Sequence, residues 1–98
     1  MTYSVRFPTG SIQKKFQKSL EQVYPQKVQD EIMKAVEALG NQPRPFGEPK
    51  LKPPLIVYQY TAQYRLRVGN YRILYDVDDK NKVVWVLDLR KRNERTYI

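Results

Sequence analysis

The sequence of 98 residues contains no cysteine and no histidine. Without cysteine there is no disulfide framework, no thiol nucleophile and no cysteine-based zinc site. Without histidine the chain lacks the usual acid–base group for neutral pH. No run of about 18 apolar residues is present, and the first residues lack the apolar stretch of a signal peptide. We therefore expect a cytoplasmic protein with no membrane-spanning segment, no metal site and no cofactor.

The length suits one domain, which we expect to span residues 1–98. A chain of this size buries only about two-thirds of its unfolded surface, so its core is modest. Hydrophobic residues make up 41% of the sequence and aromatic residues 12%, which is enough for one compact core. A two-domain enzyme with separate cofactor and substrate domains is excluded.

Positive charge is concentrated in the second half of the chain. The whole sequence has 18 basic and 10 acidic side chains, and residues 50–98 hold 11 of the basic and 5 of the acidic ones. Six of the eight tyrosines also lie there. Basic groups interleaved with aromatic rings suit RNA or single strands. The alternatives are a charge that serves only solubility, or an acidic protein partner.

Hydrophobic periodicity and turn residues predict a short strand, two amphipathic helices and a meander of strands. In chain order we predict a strand over 2–7, helices around 12–23 and 28–39, and strands over 64–68, 71–77 and 83–89. Five prolines between residues 40 and 54 indicate a stiff extended connection, with edge-strand character over 55–60. This order, β-α-α-β-β-β, predicts an α+β fold with the N-terminal strand and a helical hairpin packed on one face of a mostly antiparallel four-stranded sheet.

Alternation along the strands predicts one apolar face and one basic face of this sheet. The residues expected to face the helices are Tyr64, Leu66, Val68, Tyr71, Ile73, Tyr75, Val77, Val83, Trp85, Leu87 and Leu89. The opposite face would carry Arg65, Arg67, Arg72, Asp76, Asp88 and Arg90. Arginine is the preferred partner of phosphate, and two acids cannot neutralise this cluster. The alternative is a set of cross-strand ion pairs on a solvated face.

Residues 64–77, YRLRVGNYRILYDV, resemble the signature hairpin of the RelE/ParE toxin superfamily. The family's C-terminal end is similar to residues 83–89 and to the tail with Lys91, Arg92 and Tyr97. The family's element before the hairpin is similar to the segment 49–52. The resemblance implies a toxin of a type II toxin–antitoxin pair. RelE-like members cleave messenger RNA in the ribosomal A site, whereas ParE-like members inhibit DNA gyrase.

For the RelE-like branch, the resemblance implies a catalytic site made of Arg65, Arg67, Arg72, Arg92 and Tyr97. The further cations that we expect to bind RNA are Lys50, Lys52, Arg90, Lys91 and Arg95. Arg92 and Tyr97 favour the RNA-cleaving branch. The chain departs from the family where some members have lysines in place of Arg65 and Arg67, since an arginine stabilises charge but does not abstract a proton. Pro53 and Pro54 stand where the family usually has a glycine after the segment 49–52. The tail also lacks the histidine that several members have there.

Without metal or histidine, RNA cleavage requires attack of the ribose 2′-hydroxyl on the adjacent phosphate. The hairpin arginines would stabilise charge on the phosphate oxygens, and Arg92 would lie by the leaving 5′-oxygen. Tyr97 is the favoured proton acceptor; the alternatives for its ring are stacking on a base or packing against the helices. Lys50 and Lys52 are weaker candidates for the base. So few catalytic groups predict that the ribosome helps to position the RNA.

The expected partners are an acidic antitoxin protein, the ribosome and messenger RNA. A partly disordered antitoxin would wrap the domain and neutralise the basic face. A gyrase inhibitor on the same scaffold and a non-catalytic nucleic-acid-binding module stay open as alternative functions. The oligomeric state is also open.

Overall fold

The computed structural model describes residues 2–45 and 50–91. Its elements are β1 (Ser4–Arg6), α1 (Gly10–Glu21), α2 (Gln26–Ala38), β2 (Lys50–Val57), β3 (Tyr60–Val68), β4 (Tyr71–Asp78) and β5 (Val83–Lys91). The predicted α+β fold, with one strand, two helices and a mostly antiparallel sheet, is confirmed. In this part of the chain, neither helix is long and apolar enough to cross a membrane.

The two helices start where local sequence signals favour a start. The Thr9 side chain accepts a hydrogen bond of 3.1 Å from the backbone N–H of Ile12, which satisfies one of the free donors at the beginning of α1. Pro25 precedes α2, a position where its missing N–H costs little. Ile12 and Phe16 of α1 and Ile32 and Val36 of α2 are buried. Each helix therefore packs its apolar stripe onto the sheet.

The sheet has five strands in the order β1-β5-β4-β3-β2. β1 pairs parallel with β5, and the other neighbours are antiparallel. The fifth strand is β2, which extends the predicted edge strand back to Lys50 and contains Pro53 and Pro54. Prolines are tolerated there because one side of an edge strand has no ladder partner. The register between β2 and β3 is irregular between Lys50 and Leu55.

A two-residue turn aligns β3 with β4. Gly69 has a φ of 57°, in the left-handed region that glycine adopts without steric cost. The flanking residues Val68 and Tyr71 are register partners, so Arg67 lies opposite Arg72. The predicted Gly69-Asn70 hairpin therefore sets which side chains become neighbours across the two strands.

The main core lies between the helices and the sheet. Phe16, Ile32 and Leu39 are at most 1% exposed and belong to one hydrophobic cluster with sheet residues. From the sheet, the buried members of this cluster are Tyr64, Leu66, Ile73, Tyr75, Val84, Val86 and Leu89. The predicted inward faces of β3 and β4 agree with this cluster.

The inward face of β5 differs from the prediction in its first half. Val84 and Val86 belong to the helix-side core, whereas Trp85 and Leu87 belong to a second cluster. The reason is a register shift, in which Tyr75 pairs with Val86 but Leu74 pairs with Asp88. Leu87 is the extra residue, and such a bulge reverses the alternation on either side of it. Val84 points to the helices, so Val83 before it points away from them. The prediction that Val83, Trp85 and Leu87 face the helices is wrong, and that for Leu89 is confirmed.

The second cluster is formed by residues of β2, β3, β4 and β5. Its buried members are Val57, Ala62, Leu74 and Leu87, and Leu51, Leu55, Tyr60 and Trp85 pack against them. Leu74 lies between Ile73 and Tyr75 of the main core, so alternation directs its side chain to the other face. We call this face, opposite the helices, the open face. It is therefore partly apolar.

Candidate nucleic-acid interface

Alternation places four predicted arginines on the open face. Their strand neighbours Leu66, Ile73 and Leu89 are buried in the helix-side core, so the residues between them point the other way. The four are Arg65, Arg67, Arg72 and Arg90. Arg65 and Arg72 are half-buried, and Arg67 and Arg90 are exposed. The part of these side chains next to the backbone is thus held against the sheet, and the guanidinium groups lie near the surface.

Three of these arginines stand side by side across the sheet. Arg72 of β4 is the register partner of both Arg67 of β3 and Arg90 of β5. Directly opposed residues have Cβ atoms about 4.5–5.5 Å apart, and like charges at that spacing repel. We call Arg67, Arg72 and Arg90 the arginine row. Such a row is destabilising by itself and favours a bound anion.

The neighbouring acids neutralise the row only in part. Arg90 Nε donates to Asp88 Oδ2 over 2.8 Å, and Asp88 Oδ1 also accepts from the backbone N–H of Leu89 at 2.9 Å. Arg72 Nε is buried and has no hydrogen-bond partner among the described residues. A buried donor without a partner is costly, and a charged one more so. Arg72 is thus the member of the row that most needs an acceptor.

Arg65 lies one step along the same face. It is the register partner of Leu74, which is itself paired with Asp88 on β5. The open face therefore continues from the arginine row toward the apolar patch through a half-buried guanidinium. This arrangement suits successive contacts with an extended polyanion better than a single point contact.

The predicted lysines lie outside the arginine row. Lys50 and Lys52 are exposed on edge strand β2, and Leu51 between them packs into the second cluster. Alternation therefore directs both lysines away from that cluster. Lys91 is exposed at the end of β5 and pairs with Tyr71, whose ring packs against the helix-side core. None of these three is brought into the row.

The remaining predicted site residues are Arg92, Arg95 and Tyr97, and they lie outside the described residues. Arg90 and Lys91 end β5 immediately before them. The described part of the chain therefore ends one residue after Arg90 of the arginine row. The roles expected of Arg92, Arg95 and Tyr97 stay predictions.

A pocket at the other end of the open face was not predicted from the sequence. Its volume is about 340 Å³, and its lining residues are Pro8, Tyr60, Thr61, Asp76, Trp85 and Leu87. Burial raises the pKa of the Asp76 carboxyl, whose Oδ1 has no hydrogen-bond partner in the described ranges. We call this the Trp85 pocket. Alternation predicts Asp76 on this face, but nothing in the sequence indicates the bulge that brings Trp85 beside it.

A second charged group, which we call the Arg44 cluster, consists of Arg44, Asp79, Tyr64 and Tyr3 joined by hydrogen bonds. Arg44 donates to Asp79 Oδ2 at 2.6 Å, to Asp79 Oδ1 at 3.2 Å and to the Tyr64 hydroxyl at 3.1 Å. Tyr3 also donates to Asp79 at 2.6 Å. Hydrogen bonds from Arg44 and Tyr3 lower the pKa of Asp79 to about 2, and those with Asp79 and Tyr64 raise the pKa of Arg44.

This cluster attaches the segment after α2 to the sheet. Tyr75 donates to the backbone carbonyl of Pro43 at 2.8 Å, and its ring stacks on Tyr64 with centroids 5.6 Å apart. Burial raises the pKa of Tyr75 to about 12. Arg44 was not predicted as a structural residue, because nothing in a proline-rich segment indicates a partner 35 positions away. No group of three acidic residues that could hold a metal ion occurs in residues 2–45 and 50–91.

Solved structures share this fold. An archaeal RelE–RelB complex from Pyrococcus horikoshii is 27% identical, with a TM-score of 0.69 over 96% of this chain and 99% of the other. The RelBE2 toxin–antitoxin complex of Mycobacterium tuberculosis is 24% identical, with a TM-score of 0.64 over 94% of this chain and 100% of the other. A mutant of the E. coli toxin RelE in the free state is 21% identical, with a TM-score of 0.59 over 97% and 88%. No curated protein matches the chain.

The family assignment comes from a model that matches nearly the whole chain. Residues 11–96 match the model for the ParE toxin of the type II toxin–antitoxin system parDE. The match contains both helices, the hairpin with Arg65, Arg67 and Arg72, and β5. The chain therefore belongs to the ParE toxin family, within the RelE/ParE superfamily of type II toxin–antitoxin toxins.

Proposed function

We propose that this toxin is an endoribonuclease that cleaves messenger RNA in the ribosomal A site and so inhibits translation. The observation that carries the proposal is the arginine row, in which Arg72 Nε has no acceptor within residues 2–45 and 50–91. Three guanidinium groups in register on an open sheet face form a phosphate-binding surface, because planar arginine matches the geometry of phosphate oxygens. The fold shared with RelE toxins is consistent with this activity.

The cleavage step needs no group that the chain lacks. The ribose 2′-hydroxyl loses its proton and attacks the adjacent phosphorus, and the bond to the 5′-oxygen breaks. The products are a 2′,3′-cyclic phosphate and a 5′-hydroxyl, whose oxygen takes its proton from water. Arg72, with Arg67 beside it, would bind the phosphate oxygens as negative charge develops on them. Arg65 would bind a neighbouring phosphate.

The tail would supply the groups that move protons. In this proposal Tyr97 accepts the proton of the 2′-hydroxyl, and Arg92 stabilises the leaving 5′-oxygen. A dense positive field lowers the pKa of a nearby phenol, which makes its ionised form accessible. Arg90 and Arg95 would hold the backbone of the RNA. Lys50, Lys52 and Lys91 point away from the open face, so they would contact only phosphates of RNA that passes around the edge of the sheet.

The proposed partners are the ribosome, messenger RNA and an antitoxin. A site with arginines and a single tyrosine gains most from a ribosome that holds the substrate in place. Two structural neighbours are complexes of a RelE-type toxin with its antitoxin. For this chain we expect an acidic antitoxin that covers the arginine row, and a cytoplasmic location where ribosomes are found.

The decisive experiment compares messenger RNA cleavage by the purified toxin with and without ribosomes, with 5′ ends mapped. We expect cleavage only with ribosomes, and 5′-hydroxyl ends. Arg72→Ala should abolish it, whereas Lys34→Ala, which removes one exposed positive charge from α2, should not. Equal cutting with and without ribosomes would contradict the ribosome dependence. Intact messenger RNA in both would contradict the activity.

The second function is inhibition of DNA gyrase, and the observation that favours it is the match to the ParE toxin model. In that case the open face would dock on a protein. Supercoiling by purified gyrase would fall on addition of the toxin, and messenger RNA would stay intact. Measuring both activities on the same preparation separates the two functions.

A further inference from the structure

The Trp85 pocket and the arginine row lie on the same face and the same strands. Arg72, Leu74 and Asp76 alternate along β4, so all three side chains point to the open face. Arg72 belongs to the row and Asp76 lines the pocket. Four residues of strand separate them by about 13 Å. An extended single strand that contacts the row can therefore reach the pocket without leaving the sheet.

The lining of the pocket matches the two kinds of surface that a nucleobase offers. Trp85 and Tyr60 provide aromatic rings and Leu87 an apolar floor, which suit the flat faces of a base. Asp76 provides a carboxylate and Thr61 a hydroxyl, which suit its polar edge. The volume of about 340 Å³ lies at the small end of the range for ligand sites.

Cations stand on two sides of this pocket. Arg65 lies between the row and the pocket, because its partner Leu74 is two residues from Asp76. Arg6 of β1 is the register partner of Trp85 on the other side. A nucleotide whose base enters the pocket would thus have a guanidinium within reach of its phosphate in either direction along a strand. An apolar peptide side chain would use neither these cations nor the carboxylate.

We propose that the Trp85 pocket binds one nucleobase of the RNA, and that it selects bases with an amino group through Asp76. The inference rests on the proposed RNA-directed function and adds a site to it, away from the arginine row. Guanine, adenine and cytosine each present amino hydrogens that a carboxylate accepts. Uracil presents only one N–H, flanked by two carbonyl oxygens that repel a carboxylate. The toxin should therefore disfavour uracil at this position.

The pocket can be tested without any cleavage, because Trp85 is the only tryptophan in the chain. We expect GMP, AMP and CMP to quench its fluorescence at concentrations about tenfold lower than UMP, the discrimination expected from one well-placed contact to a base edge. Ribose 5-phosphate should not quench at these concentrations. Equal quenching by all four nucleotides, or by ribose 5-phosphate, would overturn the proposal.

Asp76→Asn tests the assigned residue, because an amide both donates and accepts where the carboxylate only accepts. We expect the preference over UMP to fall from about tenfold to about twofold or less. Asp88→Asn is the matched control, since Asp88 is also a half-buried carboxylate of the open face but does not line the pocket. It should keep the preference. An unchanged preference in Asp76→Asn, with native circular dichroism, would overturn the role of Asp76.

Two more variants keep the result interpretable. Tyr60→Leu removes one aromatic wall and should weaken quenching by all bases, even if Asp76→Asn fails to fold. Arg72→Ala should abolish cleavage but leave the preference among the monophosphates intact. Base selectivity without messenger RNA cleavage would support the pocket and reject the nuclease. Cleavage with no base selectivity would support the nuclease and reject the pocket.

Discussion

Arg44 and Arg72 are both partly buried, yet their surroundings are opposite. Arg44 has a carboxylate, a phenolic hydroxyl and the face of the Tyr64 ring as partners. Arg72 has an arginine on either side and a buried Nε with no partner among the described residues. The Arg44 guanidinium has partners within the fold, whereas Arg72 Nε lacks an acceptor among the described residues and would gain one from a bound anion. Arg44 thus stabilises the fold, whereas Arg72 is positioned to bind an anion.

The largest expected effect is the loss of messenger RNA cleavage in Arg72→Ala. Removing one donor that stabilises developing charge typically costs a factor of about 100 to 1,000 in rate. The melting temperature should stay the same or rise, because the variant removes like-charge repulsion within the row. Quantified 5′-end mapping and differential scanning fluorimetry measure the two properties. A clear drop in melting temperature with undiminished cleavage would reverse the roles assigned to the two arginines.

Arg44→Ala should show the opposite pattern, with a lower melting temperature by a few degrees and little change in cleavage. The substitution leaves the Tyr64 hydroxyl without its donor and releases Asp79. Lys34→Ala serves as the control for the loss of one positive charge. Unchanged thermal stability in Arg44→Ala would show that the Arg44 cluster does not hold the segment after α2.

The pH dependence of stability should sharpen the same contrast. The pKa of Asp79 is lowered to about 2 in the folded state, from an ordinary value of 3.8. A lowered carboxyl pKa adds stability that is fully present above about pH 4 and is lost as the pH falls toward 2. Asp79→Asn should therefore be less stable at neutral pH and lose less on acidification. Parallel acid-unfolding curves for the two proteins would count against the ion pair.

The smallest expected effect is tighter RNA binding by Asp88→Asn. This substitution frees Arg90 from its carboxylate and makes the whole arginine row available. We expect affinity for a short single-stranded RNA to rise about two- to threefold, in line with the modest energy of an ion pair at the protein surface. The dependence of binding on salt should also steepen. Fluorescence anisotropy measures both, and weaker binding would show that Asp88 orients Arg90 for RNA.

Most of the fold and half of the interface could be predicted from the sequence. The Gly69-Asn70 turn and strict alternation in β3 and β4 define a register and two faces, so Arg65, Arg67 and Arg72 were placed correctly. The apolar stripes of both helices were equally clear. These features depend on local spacing, which a single sequence contains in full.

The remaining features depend on contacts that local spacing does not encode. Residues 83–87 are all apolar, so alternation gives β5 no phase, and the bulge at Leu87 could not be seen. The Trp85 pocket also requires Pro8 from the other end of the chain. The Arg44 cluster brings together residues from four separate segments. In each case the missing information is which distant segments touch.

The extra residue at Leu87 bears on how relatives of this chain are compared. In a relative without the bulge, β5 has one residue fewer between the partner of Tyr75 and the partner of Leu74. The residues of β5 that precede this point then face the opposite side of the sheet. An ungapped alignment across β5 would then equate a surface tryptophan with a core position. A gap placed in this strand therefore decides whether the alignment assigns a relative's aromatic ring to the open face or to the apolar core. In comparisons across the family, the number of residues in β5 is therefore more informative than its composition.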